Sequence, residues 1–287
     1  MPKRTKSAVV CWLVHALEQI DGWPVPDAAV SVWQAGQLVG SRGDTGRAQR
    51  IASISKVLTT HAVMVAVEEG SVTLDDPAGP PSSTLRHLLA HASGYGFESN
   101  AGALVAPGRR RIYSNRGMEE AAAHVSAATA MAFADYLSEA VLGPLAMTNT
   151  ALVGSVAFGV HSTVDDLGRF VAELVAPKLL AVETLQSMIA VQFPGLAGVL
   201  PGVGRFDPLD WGLGFERNFA KPGHWSGSRL SAATFGHFGG SGTFVWLDPT
   251  IELACVMIAD REFDDWGMST WPTFCDAIVA EATGHET

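Results

Sequence analysis

The tetrapeptide Ser53-Ile54-Ser55-Lys56 opens a segment, Lys56 to Glu69, whose apolar residues recur with helical spacing. Gly70 follows, as is typical of a residue that ends a helix. A serine and a lysine three positions apart lie on one face of a helix, about one turn from each other. Lys56 is also the only lysine between Lys6 and Lys178. The pattern is common by chance, so its meaning depends on what accompanies it.

Two further short motifs accompany it. Tyr113-Ser114-Asn115 follows a Pro107-Gly108 turn and is rare by chance in a chain with three tyrosines. His237-Phe238-Gly239 falls on a predicted strand near the C-terminus and means little in isolation. The specific signal is the order and structural context of all three motifs.

The segments around these motifs predict an α+β fold. Residues 6–20 are expected to form a helix, and strands Ala28 to Trp33 and Gln37 to Val39 a hairpin turning at Ala35-Gly36. Residues 73–195 have mostly helical patterns, with helices expected at Thr84 to His91, Met118 to Ser126, Ala130 to Val141, Val164 to Leu174 and Val182 to Val191. Strands are expected at Trp211 to Phe215, Ala233 to Phe238, Thr243 to Leu247 and Ile251 to Ile258, before a closing helix over 269–282.

These elements imply an antiparallel sheet built from both ends of the chain and flanked by helices, with an inserted, mostly helical subdomain. Residues 1–70 and 205–287 would form the sheet subdomain and residues 71–204 the helical one. The active site would lie at their interface.

Composition excludes several classes of protein. The chain has 287 residues, of which 47% are hydrophobic and 17% charged, values typical of a globular protein. A net charge of -10 argues against nucleic acid and anionic membranes as partners. No apolar run approaches the roughly 18 residues of a membrane span. Cys11, Cys255 and Cys275 are widely spaced, which favours reduced core thiols over disulfides or a metal site. Hence we expect no cofactor or metal, and no pattern indicates the oligomeric state.

The N-terminus has two interpretations. Three basic residues precede the apolar stretch Ala8 to Val14, and Val14-His15-Ala16 weakly resembles a cleavage site for an exported protein. The same stretch continues to Leu17 and Ile20 with helical spacing. We favour a first helix and a cytoplasmic location, with export as the alternative.

Several other short matches fail. Asp44-Thr45-Gly46 has no second copy to share a proton, as aspartic-protease chemistry requires. His87 and His91 are spaced i, i+4 but lack a third ligand for a metal. The chain contains no GxSxG, P-loop or dinucleotide-binding glycine motif.

With its three motifs in order, the chain resembles the serine β-lactamase and penicillin-binding-protein superfamily. It is most similar to the branch of class C β-lactamases, D-alanyl-D-alanine peptidases and β-lactamase-like esterases. Further stretches carry the likeness across nearly the whole chain: Leu74 to Pro77, Leu85 to Gly94, Gly143 to Met147, Ser162 to Leu167 and Trp211 to Gly214. In this context His87 and His91 are interpreted as packing residues at a helix end.

The resemblance implies catalytic roles for Ser53 as nucleophile, Lys56 as base and Tyr113 as proton relay. Lys56 must lose its charge readily, and its apolar neighbours and the helix N-terminus both disfavour the ammonium form. By resemblance, Tyr113 would act as base and then acid, as a phenolate stabilised by the lysine. The backbone N–H groups of Ser53 and Gly240 would form the oxyanion hole, and Asn115 would donate to the substrate or to Lys56. His237, Phe238 and Gly239 would bind the substrate, which the resemblance implies is a small-molecule acyl substrate.

The third motif departs from the usual pattern. β-Lactamases typically carry Lys-Thr-Gly there, with a permanent cation for the substrate carboxylate, whereas His237 is mostly neutral at pH 7. The departure favours small, uncharged carboxylic esters. A D-alanyl-D-alanine carboxypeptidase or β-lactamase is the first alternative, and a catalytically idle binding or sensor protein the second. Trp225, Phe206 and Phe97 are candidate pocket walls, with core packing as the alternative. Arg109-Arg110-Arg111 is interpreted as a solvated turn, with attraction of an anionic substrate as the alternative.

Overall fold

A computed structural model describes residues 14–284, and its centre is a six-stranded antiparallel sheet. Its strands are β1 (Ala28–Gln34), β2 (Gln37–Arg42), β9 (Glu216–Arg217), β10 (Phe235–Gly239), β11 (Thr243–Asp248) and β12 (Leu253–Ala259). They are arranged in the order β2-β1-β12-β11-β10-β9, so β1 pairs with β12 along its whole length. The α+β class and a sheet assembled from both ends of the chain are therefore confirmed.

Alternate residues of the central strands face two different cores. On β12, Ala254, Val256 and Ile258 pack with the helical region, whereas Leu253, Cys255 and Met257 pack in the opposite core. Because successive strand side chains point to opposite faces, a strand with helices on both sides must be apolar at nearly every position. This explains the unbroken apolar run at residues 253–259.

Eight α-helices complete the described chain: α1 (Val14–Glu18), α2 (Ser55–Glu68), α3 (Leu85–Leu89), α4 (Asn115–Thr129), α5 (Phe133–Leu137), α6 (Val164–Val175), α7 (Val182–Ile189) and α8 (Asp265–Thr283). The terminal helices α1 and α8 lie against one face of the sheet, whose core includes Leu17, Ile20 and Trp271. On the other face lie α2 and α6, with α3 to α5 beyond them. Within residues 14–284, no helix is both long and apolar enough to cross a membrane.

Two small sheets border the serine–lysine motif. One joins β3 (Gln49–Arg50), β6 (Val160–Ser162) and β5 (Ala151–Leu152), in that order. The other joins β4 (Arg111–Ile112), β7 (Gly198–Leu200) and β8 (Gly204–Phe206), with β4 and β7 parallel. A Cβ atom on Gly198 would lie 2.5 Å from the Arg111 carbonyl oxygen, so this close strand approach requires glycine.

Most predicted elements are present, with local differences. The first part of the expected helix over 6–20 stays untested, because residues 6–13, which include Cys11, lie outside the described chain. The helix that is described ends at Glu18 and continues as a 3-10 turn over Gln19–Gly22. The strand expected at Trp211 to Phe215 is wrong: Trp211 makes an isolated bridge to Glu216, where β9 begins.

The proposed subdomain boundaries stay an interpretation. The six-stranded sheet uses residues 28–42 and 216–259, in line with the expected division. However, the boundary at 204/205 falls inside β8. The helical core is also continuous with the sheet, because it includes Val245 and Ile258 beside residues of α4 and α6.

Candidate active site

Ser53 lies in a 3-10 turn, Ala52–Ile54, that leads directly into α2. Ala52 adopts a φ of 44°, in the left-handed region that costs a non-glycine residue roughly 1–2 kcal/mol. The turn presents Ser53 to a cavity of about 210 Å³, which it lines together with Tyr113, Phe238 and Gly240. The strained turn thus holds a hydroxyl at a cavity wall, where a substrate can reach it.

Lys56 is completely buried one turn after Ser53. Its Nζ donates to Ser53 Oγ at 3.2 Å and to the Ala157 carbonyl oxygen at 2.7 Å. Burial lowers the lysine pKa to about 7, and the negative charge of Glu119 opposes that change. A neutral lysine has one lone pair, and because the Ala157 carbonyl takes an N–H, the lone pair is free to face Ser53.

The loop that carries Ala157 is fastened to the start of α2. Ser55 Oγ accepts from the Val160 N–H at 3.0 Å, and Thr59 Oγ1 donates to the Val156 carbonyl at 2.9 Å. Three side chains at the start of α2 therefore contact this loop, because residues 55, 56 and 59 lie within about one turn. Their contacts hold the Ala157 carbonyl in place for Lys56.

Glu119 on α4 joins this loop to a second one. Its Oε1 accepts from Ser155 Oγ at 2.5 Å and from Ser99 Oγ at 2.8 Å. Ser155 Oγ in turn accepts from the Ala157 N–H at 3.1 Å. The carboxylate thus acts on Lys56 in two ways, through its charge and through the peptide that contacts the amine.

The Tyr113 ring is buried in an aromatic cluster. Its centroid lies 4.6 Å from that of His91, 5.9 Å from Phe97 and 5.8 Å from Trp211. Lys56 Nζ lies 4.7 Å from the centre of the same ring. Tyr113 directly follows β4, so the small sheet and the cluster together fix its hydroxyl beside the serine–lysine pair.

The Tyr113 hydroxyl lies 3.3 Å from Nε2 of His237, which is on strand β10 of the six-stranded sheet. His237 Nδ1 lies 2.6 Å from the Phe238 carbonyl oxygen, which can only accept, so Nδ1 carries the proton. Burial lowers the pKa of His237 to about 4, so its ring is neutral and Nε2 accepts. Tyr113 is therefore the donor in this hydrogen bond.

Burial raises the pKa of Tyr113 well above its ordinary value, although a hydrogen bond with Ser53 opposes the increase. A phenol in this environment stays protonated through the neutral range. The expectation of a phenolate stabilised by a charged lysine does not fit this arrangement, because the lysine is itself poised to be neutral. In this arrangement Lys56, with a pKa of about 7, is the group beside Ser53 that can take up a proton near neutral pH.

The two glycines of the third motif differ in what surrounds them. A Cβ on Gly239 would lie 2.4 Å from the Ile51 carbonyl oxygen and 2.3 Å from Thr243 Oγ1, so Gly239 permits close backbone packing. A Cβ on Gly240 would meet no atom closer than 4.0 Å, and Gly240 lines the cavity beside Ser53. Phe238 also lines it, with its ring 4.8 Å from that of Phe263.

The remaining predicted residues divide between the site and its support. Asn115 begins α4 and is buried, but within residues 14–284 Lys56 Nζ hydrogen-bonds to Ser53 and Ala157 and not to the Asn115 amide. Arg109 and Arg110 are exposed. Arg111 is buried, and its guanidinium donates to the carbonyls of Ala90, Gln192, Phe193 and Leu209. That residue braces the segment before Tyr113 and is not part of a solvated turn.

Sequence reasoning missed four contributors: His91 as more than packing, Ala157, Glu119 and Trp211. His91 Nδ1 accepts from the Ser114 N–H at 3.2 Å while its ring lies against Tyr113. Trp211 contacts Tyr113 and His237, their centroids 5.8 Å and 5.5 Å from its own. The stretches containing His91 and Trp211 were visible as part of the resemblance. Ala157 acts through its backbone and leaves no signal in sequence.

No charged side chain lines the cavity at Ser53: within residues 14–284, its walls are Ser53, Phe97, Tyr113, Leu200, Pro201, Gly202, Phe238, Gly240 and Phe263. Of the three aromatic residues considered as walls, Phe97 lines this cavity, whereas Trp225 and Phe206 pack in the core on one face of the sheet. Among the described residues, no three metal-ligating side chains form a cluster that could hold a metal ion.

Fold and site define a protein of the serine β-lactamase and transpeptidase class. The chain belongs to the beta-lactamase family, whose sequence model matches residues 19–273. A beta-lactamase from Mycobacterium bovis is 48% identical, with a TM-score of 0.91 over 93% of this chain and 99% of that one. A search of curated proteins by sequence found no match.

More distant solved structures share the fold at low identity. An octameric penicillin-binding protein homologue from Pyrococcus abyssi is 17% identical, with a TM-score of 0.75 over 95% of this chain and 77% of that one. EstCE1, a hydrolase with promiscuous acyltransferase activity, is 16% identical, with a TM-score of 0.74 over 93% of this chain and 97% of that one. Family and neighbours together support a serine-hydrolase-like function.

Proposed function

We propose that this protein is a serine hydrolase that forms an acyl-enzyme on Ser53 and acts on uncharged carboxylic esters. The observation that carries the proposal is the contact between Ser53 Oγ and the buried Lys56 amine, at 3.2 Å, with a lysine pKa of about 7. A general base is most effective when its pKa lies near the working pH. The lining without charged side chains supports a neutral substrate.

In the acylation step, Ser53 Oγ attacks the ester carbonyl carbon and its proton passes to the Lys56 lone pair. The carbonyl oxygen gains negative charge and is stabilised by the N–H groups of Ser53 and Gly240, where one such donor is typically worth about 10²–10³ in turnover. When the tetrahedral intermediate collapses, the C–O bond to the alcohol breaks and the lysine ammonium returns the proton to that oxygen. Tyr113 lies beside Ser53 and Lys56 and orients this transfer without giving up its own proton.

Deacylation repeats these steps with water. Neutral Lys56 accepts a proton from a water molecule while the water oxygen attacks the acyl carbon. The C–O bond to Ser53 Oγ then breaks, and Lys56 returns the proton to Ser53. Through these steps, Tyr113 remains a phenol and orients the transfer through its hydrogen bond to His237. Glu119 is bound by two serine hydroxyls and is not assigned the role of a separate base.

β-Lactam hydrolysis is the second candidate, favoured by the 48% identity to the Mycobacterium bovis beta-lactamase. The substrate carboxylate of a penicillin would meet neutral His237 where family members usually present a lysine. A D-alanyl-D-alanine carboxypeptidase meets the same difficulty and also requires export. We therefore rank ester hydrolysis first.

The test is intact-mass labelling with a fluorophosphonate, together with turnover of a chromogenic acetate ester and a chromogenic cephalosporin. We expect one adduct on Ser53, ester turnover, and cephalosporin turnover at least a hundredfold slower. Ser53→Ala should lose both adduct and turnover, and Ser41→Ala, at an exposed serine on β2, is the matched control. A wild-type protein with neither adduct nor turnover would make the idle binding protein the better account, and cephalosporin turnover above ester turnover would favour the β-lactamase.

A further inference from the structure

A second cavity of about 340 Å³ lies next to the one at Ser53. Phe97, Tyr113 and Pro201 line both cavities, so the two meet at the tyrosine. The other lining residues of the second cavity are Leu104, Arg110, Arg111, Ile112 and Val199. We call it the Val199 groove.

The Val199 groove is apolar and open to solvent. Phe97 is 43% exposed, Val199 53% and Leu104 69%, which makes these three among the most exposed large apolar side chains of the described chain. The Arg111 guanidinium donates to four carbonyl oxygens, so four of its five N–H groups are already occupied. Arg110 is exposed and is the one free charged side chain of the lining within residues 14–284.

An extended apolar substrate explains this arrangement. Covering exposed apolar surface contributes about 25 cal/mol per Å². The volume of the groove would hold on the order of ten heavy atoms, at the roughly 30 Å³ that a water molecule occupies in the liquid. A group of that size attached to an ester at Ser53 could pass Tyr113 and cover Phe97, Leu104 and Val199 together.

We propose that the Val199 groove binds an extended apolar chain on one side of the scissile ester, which makes medium-chain esters the preferred substrate class. This inference rests on the proposed ester hydrolysis at Ser53. Besides residues 110–113, which carry Tyr113 itself, the groove is built by two segments that the fold brings to one place, the Phe97–Leu104 loop and the β7 strand with its following turn. Both flank Tyr113, so the groove begins where the reacting bond would lie.

Two matched ester series test this proposal: ethyl esters of linear acids from two to ten carbons, and acetates of linear alcohols of the same lengths. In at least one series, kcat/KM should rise at least tenfold from two carbons to eight. Val199→Trp fills the groove and should reduce the ratio of eight-carbon to two-carbon kcat/KM at least tenfold in that series. Val182→Trp, a similarly exposed valine on α7, is the matched control and should keep the wild-type ratio.

The outcomes separate this inference from the proposed function. Absence of turnover for every ester, including the shortest, would contradict the hydrolase proposal itself. Turnover of short esters without a chain-length dependence in either series would overturn the groove proposal alone. A chain-length dependence that Val199→Trp leaves intact would also overturn it, because the chain would then bind elsewhere.

Discussion

Tyr113 donates its phenolic proton to Nε2 of His237 across 3.3 Å, although the two residues are 124 positions apart in the chain. The direction of this bond follows from the Phe238 carbonyl, which holds the proton of His237 on Nδ1. A neutral histidine therefore faces Tyr113 from the motif at which typical β-lactamases carry a lysine. The neutral acceptor keeps Tyr113 a phenol.

Replacing His237 should show how much activity depends on this acceptor. His237→Phe removes it and leaves the buried Tyr113 hydroxyl with its contact to Ser53 but without this acceptor, a loss that costs about 1–3 kcal/mol. If that free energy is lost from the transition state, kcat/KM for a chromogenic ester should fall roughly 10- to 100-fold, because about 1.4 kcal/mol corresponds to a tenfold change in rate. His237→Gln can accept from Tyr113 and donate to the Phe238 carbonyl, so it should retain more activity than His237→Phe. Equal losses in the two variants, with unchanged circular dichroism, would show that the hydrogen bond has no part in the reaction.

The pH dependence of the wild-type enzyme should report Lys56. Its pKa is about 7 and the neutral form is the base, so kcat/KM should fall about tenfold per pH unit below pH 7 and level off above it. The other titratable groups near Lys56 do not interfere: the pKa of His237 is about 4, that of His91 is also lowered by burial, and that of Tyr113 is raised. A profile measured from pH 5 to 9.5 with an uncharged ester checks this. A rate that stays level from pH 5 through pH 7 would contradict Lys56 as the base.

Sequence patterns predicted the serine, lysine and tyrosine positions together with the fold because each is tied to a local signal. Ser53 and Lys56 share a helix face, and short apolar runs bounded by turn residues indicate the strands of the sheet. Patterns could not predict contacts that depend on the backbone of a distant segment, such as the Ala157 carbonyl on Lys56. Nor could they show that the Ile51 carbonyl leaves no room for a side chain at Gly239. The error at Trp211 to Phe215 has a similar origin, since an apolar run of five suits a buried loop as well as a strand.

Glu119→Gln should move the acid limb to lower pH. The carboxylate raises the pKa of Lys56, so its removal lets burial lower that pKa further. Glutamine keeps an oxygen that can accept from Ser99 and Ser155, so the two loops stay joined while the charge is lost. We expect the limb to shift down by a few tenths of a unit to about one unit. The measurement is the same pH profile at low ionic strength.

Glu120→Gln is the matched control for that variant. Glu120 is the next residue of α4, but it pairs with Arg116 at 3.1 Å and is not among the charges that act on Lys56. Its replacement should leave the acid limb in place. If Glu119→Gln leaves the limb unmoved, or moves it upward, Glu119 does not tune the lysine and serves only to join the loops.

Lys56→Met should abolish turnover and stabilise the fold at neutral pH. The folded pKa of Lys56, about 7, lies below its ordinary value of 10.5, so between these values the unfolded chain binds more protons than the folded one. Wild-type stability must then rise with pH across that window, whereas methionine has no such dependence. The gain in unfolding free energy should be on the order of a few kcal/mol at pH 7 and shrink toward pH 10. Urea titrations at both pH values measure it, with the exposed Lys178→Met as control. A variant less stable than wild type at pH 7, or a difference that does not change with pH, would show that burial of Lys56 carries no cost and that its amine is not held near neutrality.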